Sequence, residues 1–143
     1  MLNTMILVMV GGAMGALLRE FLMLAVPPLS DGFPLDIFVA NLSAALLLGW
    51  VTARHARKSI SDSVNVLLGT GMMGGLSTFS SFVYGAVVEA GTSPRVSVVY
   101  VICSVVLGFA AVLFGLWLGA KHGEGLAGRA TRTDAVAGAA SAS

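Results

Sequence analysis

Gly71-Met72-Met73-Gly74-Gly75-Leu76-Ser77-Thr78-Phe79-Ser80-Ser81-Phe82 lies in the middle of an apolar stretch that runs from 63 to 90. A membrane-spanning helix needs about 20 mostly apolar residues, so this stretch is longer than one span requires. Glycine pairs beside Ser and Thr loosen a helix. A helix that opens inside a bilayer leaves carbonyl and N–H groups without partners. Lipid cannot supply them, so such a break survives only inside protein or beside a water-filled cavity. Interrupted helices of this kind bind ions in transporters. The same small residues also suit close packing against another helix. The segment alone leaves both readings open.

Three further stretches are long and apolar enough to span: 2–26, ended by Pro27-Pro28; 33–53, ended by Arg54, His55, Arg57 and Lys58; and 96–120, ended by Lys121 and His122. Proline cannot continue a helix, and the connecting loops are short. The expected fold is therefore an all-α membrane protein of four transmembrane helices over residues 1–120, with 121–143 as a disordered polar tail. Composition agrees. The chain is 57% hydrophobic and 10% charged, where soluble domains hold about 25% charged residues. A net charge of +1 offers no field for nucleic acid. Cys103 is the one cysteine, and no internal disulfide can form. The first stretch lacks a basic start and a cleavage site, so it reads as a retained helix rather than a leader.

Basic residues set the expected orientation. With four spans, both termini and the loop between the second and third spans share a side. Arg54, Arg57, Lys58, Lys121, Arg129 and Arg132 fall there, against Arg95 and Arg19 on the other. Six against two predicts both termini in the cytoplasm, in a multi-pass plasma (inner) membrane protein.

Polar residues within the spans need partners. Arg19 could face a water-filled vestibule and attract anions, or snorkel to the headgroups. Asn41, with Ser43 close by, could bridge two helices or donate its amide to a permeating anion. Phe79 and Phe82 are three apart and share a helix face. They could be ordinary packing rings, or could offer their positive edges to an anion. Ser104, one turn after Tyr100, could bond the preceding carbonyl or extend a polar stripe. Glu89 reads as a solvated helix end.

Taken together these features resemble the CrcB/Fluc family of small fluoride channels. Gly11-Gly12-Ala13-Met14-Gly15-Ala16-Leu17-Leu18-Arg19 is similar to its first-helix motif, and Val39-Ala40-Asn41-Leu42 with Gly49 to its second. The stretch from Gly71 to Phe82 is similar to its signature around the helix break. Tyr100 and Ser104 resemble its fourth-helix hydroxyl track. The resemblance covers residues 1 to about 120. It implies an antiparallel, dual-topology dimer, with the third helix broken near mid-membrane and two fluoride pores at the interface. It implies a structural sodium ion held by main-chain oxygens of Gly74 and Ser77, flanked by Gly75 and Thr78. Asn41, Phe79, Phe82, Tyr100 and Ser104 would line the ion pathway, with Arg19 at the vestibule. Unwinding is then expected over residues 74–78.

The chain also departs from the family pattern. Asp36 and Ile37 stand where a Gly-Thr pair is usual, and Ala44 where a glycine is usual. Gly85 replaces an acidic residue, with Glu89 a turn later, Ser77 replaces a threonine, and Gly108 replaces a hydroxyl. Ile37 and Gly85 remove polar groups from a polar route. With the lean in basic charge, they suggest a second, oppositely oriented paralogue as partner and one degenerate pore. Two other classes are a non-conducting partner subunit and a small multidrug-type proton-coupled efflux protein. The latter needs a first-helix carboxylate, which only Glu20 offers. No enzyme is expected: the spans hold neither a Ser/His pair nor a carboxylate pair, and HExxH is absent.

Overall fold

A computed structural model describes residues 1–27 and 32–140, with side chains described through residue 121. Four stretches are helical, long and apolar enough to cross a membrane: Leu2–Ala25, Leu35–Ala56, Asp62–Thr92 and Pro94–Lys121. The first is α1 (Leu2–Ala25) and the second α2 (Leu35–Ala56). The third is built in pieces: α3 (Asp62–Asn65), a π-helical stretch (Val66–Met72), α4 (Met73–Leu76) and α5 (Phe79–Thr92). The fourth begins α6 (Pro94–Ala140). Among the described residues there is no strand.

The ends follow local chemistry. α1 stops where Val26 turns extended ahead of Pro27. α2 starts two residues later than expected, because Pro34 precedes it, and runs three residues further, to Ala56. It carries Asp36 in its first turn and Arg54 and His55 in its last, the arrangement that its dipole favours. Ser61 caps α3 by accepting the Val64 N–H at 3.4 Å. Pro94 sits at the first position of α6, where its missing N–H costs nothing. The backbone of α6 is helical to Ala140. The expected disordered tail falls largely on residues whose side chains lie outside the described set, and Pro28 lies outside it too.

Two helix pairs make the body. α2 and α6 approach until backbones touch. A methyl group at Gly49 would overlap the Val112 carbonyl, and one at Gly115 the Leu46 carbonyl. α1 lies against the third span in the same way. A methyl at Gly11 would overlap the Leu67 carbonyl, and one at Gly15 the Met72 carbonyl. The first-helix glycines therefore form a packing stripe, the usual device where lipid gives no hydrophobic drive between helices. Between the pairs Ala44, Met73 and Leu76 form a small buried cluster, flanked by Leu18, Leu22 and Met72. Large apolar side chains face outward: Met9, Leu17 and Phe21 on α1, and Val98, Ile102 and Phe109 on α6. In water that surface would be costly; in a bilayer it is the solvated one.

A candidate ion pathway at the interruption of the third span

The third span departs from α-helix twice. Over Val66–Met72 the bonding shifts by one residue, and the Met73 N–H donates to the Leu68 carbonyl, five residues back. Such π turns cluster at functional sites. The second departure is at Ser77 (φ −74°, ψ 150°) and Thr78 (φ −142°, ψ 111°), both extended. Gly74 and Gly75 remain helical. This corrects the expectation of unwinding over 74–78: only the last two residues leave the helix. Gly75 serves packing instead, since a methyl there would overlap the Gly12 carbonyl and lie 3.0 Å from the Ala16 nitrogen. Gly74 faces open space.

The interruption is satisfied by side chains. Asn41, on α2, pairs with both peptide groups of Thr78. Its Nδ2 donates to the Thr78 carbonyl at 3.1 Å, and the Thr78 N–H donates to its Oδ1 at 2.7 Å. Asn41 thus bridges two helices, one of the roles its sequence left open. Thr78 Oγ1 accepts the Ser81 N–H at 3.2 Å, capping α5, and donates to Ser81 Oγ at 2.9 Å. In a continuous helix the Thr78 N–H would donate to Gly74 and the Ser81 N–H to Ser77. Both donors are used elsewhere. Gly74 and Ser77 are exposed, whereas Thr78 is only 5% exposed.

Around this point lies an open groove of about 450 Å³, lined by Asn41, Thr70, Gly74, Ser77, Phe79 and Phe82 among others. Phe79 is 79% exposed, and its ring centroid lies 6.1 Å from that of Phe82. Phe82 in turn lies 5.3 Å from the ring of Tyr100, which is fully buried. The hydroxyls of Tyr100 and Ser104 are buried, and neither has a hydrogen-bond partner among the described residues. Ser104 therefore does not take the preceding carbonyl. Two orphaned hydroxyls one turn apart are unusual, since buried polar groups are normally satisfied.

Not every expected residue joins the groove. Arg19 is half-buried on α1 and is not among its lining residues. Glu20 is exposed, so α1 does not bury the carboxylate that a proton-coupled efflux protein would need. Ile37 and Gly85 meet each other: a methyl at Gly85 would lie 3.7 Å from Ile37 Cδ1 and 3.1 Å from Pro34 Cγ. Thr70 lines the groove and went unnoticed in the sequence, although it stands one turn before Gly74. Phe33, whose ring meets Tyr100 edge-on at 5.4 Å, gave no sequence signal at all. His55 Nε2 lies 3.7 Å from Asp62 Oδ1 across the loop between the second and third spans.

Known proteins are similar to this chain in sequence. A protein of Brucella abortus named Fluoride-specific ion channel FluC 1 is 57% identical over 127 residues, 87% of this chain and 47% of that protein. The chain thus spans about half the length of the Brucella relatives it matches. Fluoride-specific ion channel FluC 3 of Yersinia pseudotuberculosis is 54% identical over 122 residues, covering 84% of this chain and 91% of the relative. Fluoride-specific ion channel FluC of Methanopyrus kandleri is 36% identical over 110 residues, 76% of this chain and 83% of the relative. The family model described as CrcB-like protein, Camphor Resistance (CrcB), matches residues 6–116, and with these relatives it places the chain in the CrcB-like family.

Proposed function

We propose that this chain is a subunit of a fluoride-specific ion channel, a passive conduit and not an enzyme, through which cytoplasmic fluoride leaves the cell. One observation carries the reading: Asn41, Phe79 and Phe82 line a single open groove beside an interruption of the third span. Relatives named as fluoride-specific channels support it. Fluoride is small and holds its water tightly, so a pore must offer close donors. Asn41 commits one amide hydrogen to Thr78 and has a second to give. The phenylalanine rings offer positive edges. The buried, unpartnered hydroxyls of Tyr100 and Ser104, which do not line the groove themselves, would extend the donor series beyond it. An interior-negative membrane drives the anion outward by about 2.3 kcal/mol per charge per 100 mV.

The groove is open on one side and needs a second wall. An antiparallel second subunit would close it, placing the interruption of the third span within the bilayer on a two-fold axis. The carbonyls of Gly74 and Ser77 fit a sodium ion at that axis. Both residues are exposed and line the groove, the N–H groups that would bond these carbonyls in a helix are diverted, and hard cations prefer oxygen ligands. Bound there, sodium would pin the two subunits together. Arg19 would stand at the vestibule, and residues 121–143 would form a polar tail. In a pairing with a paralogue both termini of this chain would lie in the cytoplasm, at the inner membrane; in a homodimer that would hold for one copy, its partner being inverted.

A second reading has its own observation. Ile37 and Gly85 pack against each other and Pro34, an apolar contact at two positions where the family pattern has polar groups. With six of eight basic residues assigned to one side, this favours pairing with an oppositely oriented paralogue, in which one pore is degenerate or this chain does not conduct. Fluoride efflux from liposomes, with chloride as control, tests both. Rapid fluoride loss from this chain alone supports the homodimer. Loss only after a second subunit is added supports the heterodimer, and retention in both preparations refutes the channel.

A further inference from the structure

We propose that Asn41 and Thr78 hold the interruption open: their side chains capture the two N–H groups that would otherwise close the helix, and so leave the Gly74 and Ser77 carbonyls facing the groove. The assignment rests on the channel reading only in naming what those carbonyls serve.

The glycine pair does not make the break, since Gly74 and Gly75 are both helical. The first residue to leave the α region is Ser77, and its own N–H still donates to Met73 at 3.0 Å. The next N–H, that of Thr78, is the first to abandon the helix, and it goes to Asn41 Oδ1. The Asn41 amide then returns a hydrogen to the Thr78 carbonyl. One neutral side chain thereby pairs with both main-chain groups of one residue, as a neighbouring strand would. Only an amide presents a donor and an acceptor side by side in this way without charge.

In a continuous helix the acceptor for the Thr78 N–H would be the Gly74 carbonyl, one turn back. Bilayer surroundings press the backbone to make that bond, since no solvent offers another. Thr78 Oγ1 does the corresponding work for Ser77 by taking the Ser81 N–H at 3.2 Å. That bond is an N-cap, the role in which Ser and Thr are near equivalents. Asn41 and Thr78 are therefore positioning residues for the two carbonyls, set from a neighbouring span and from the start of α5.

The test uses the full chain, isotope-labelled, in bicelles. In wild type the Cα and carbonyl resonances of Ser77 and Thr78 should read as extended. In Asn41→Ala they should move to the helical side. In Thr78→Val the Ser81 N–H should turn to the Ser77 carbonyl, whereas Thr78→Ser should restore the wild-type pattern. Replacing potassium with sodium at constant ionic strength should raise the melting temperature of wild type and Thr78→Ser. That gain should be lost in Asn41→Ala and Thr78→Val. Extended resonances that persist in both disruptive variants would overturn the assignment. If Asn41→Ala does not fold, the Thr78→Val and Thr78→Ser pair decides it alone. Fluoride efflux separates the two claims: a wild type that carries no fluoride alone or with a second subunit, yet closes its helix in Asn41→Ala, keeps this inference and refutes the channel.

Discussion

Gly12 and Gly75 face each other across the contact of α1 with α4, yet they should respond oppositely to alanine. At Gly12 an added methyl meets its nearest neighbour, the Gly71 carbonyl oxygen, at 3.9 Å, an ordinary contact. Replacing a helical glycine with alanine gains about 1 kcal/mol of helix propensity, so Gly12→Ala should stabilise by roughly that much. At Gly75 the methyl would overlap the Gly12 carbonyl oxygen and approach the Gly12 carbonyl carbon to 2.9 Å. These are backbone atoms and cannot swing aside, so the helices must part. Overpacking of this kind costs about 1–3 kcal/mol. After the same propensity gain, Gly75→Ala should be neutral to about 2 kcal/mol less stable than wild type, and about 1–3 kcal/mol below Gly12→Ala. At 1.4 kcal/mol per decade this separates the two unfolding constants by roughly 5- to 150-fold. Reversible unfolding in mixed micelles, followed by circular dichroism, reads the difference. Equal stabilities for the two variants would refute the claim that the glycine stripe holds the backbones in contact.

Three further outcomes follow from the geometry. Asn41→Leu should lower fluoride efflux by roughly ten- to a hundredfold, since losing a donor to a desolvated charge costs about 1.5–3 kcal/mol; liposome flux with an electrode reads it. Phe82→Leu should also depress efflux while leaving the protein folded, because its ring lies between Phe79 and the buried Tyr100; flux compared with melting temperature separates those effects. Gly115→Val should destabilise by about 1–3 kcal/mol or more by forcing α6 off α2, where the Trp50 nitrogen lies 2.9 Å from the added carbon; the melting midpoint checks it.

The four spans were legible because lipid imposes a length and an apolar composition that few other constraints mimic. Their ends were legible to within a few residues, because Pro27 and the charged cluster from Arg54 to Lys58 are local signals, although Pro34 delays the start of α2 beyond the expected residue 33. The site was harder to read. Gly74-Gly75 drew attention to the right segment for a reason that fails in detail, since glycine marks both loosened and closely packed helices. Distinguishing them takes the position of Gly12 across the contact. Asn41 announced only that it needed partners. Which partners depended on α2 meeting the third span beside Thr78, a tertiary fact separated by 37 residues of sequence. Phe33 lies just before Pro34 at the start of α2, and nothing local marks it as the ring that covers Tyr100.

Ile37 and Gly85 show what the sequence withholds about its own departures. In the chain they look like two independent losses of polarity. In the fold they are one contact: Ile37 is 7% exposed, and the space a side chain at Gly85 would enter is held by Pro34 and Ile37. Restoring polarity at one position should therefore fail without the other. Gly85→Ser places its Cβ 3.1 Å from Pro34 Cγ with Ile37 still present. Ile37→Thr alone buries a hydroxyl beside apolar atoms, at about 1–3 kcal/mol. Together they exchange one methyl-filled gap for two hydroxyls within reach of each other, so the double variant should be more stable than the sum of the singles. Contacting residues couple by about 0.5–3 kcal/mol, whereas distant ones add to within about 0.5. Melting midpoints and unfolding curves of the four proteins supply the cycle. Simple additivity would mean that Ile37, Gly85 and Pro34 are not a single packed unit, and that either polar group could have been lost without the other.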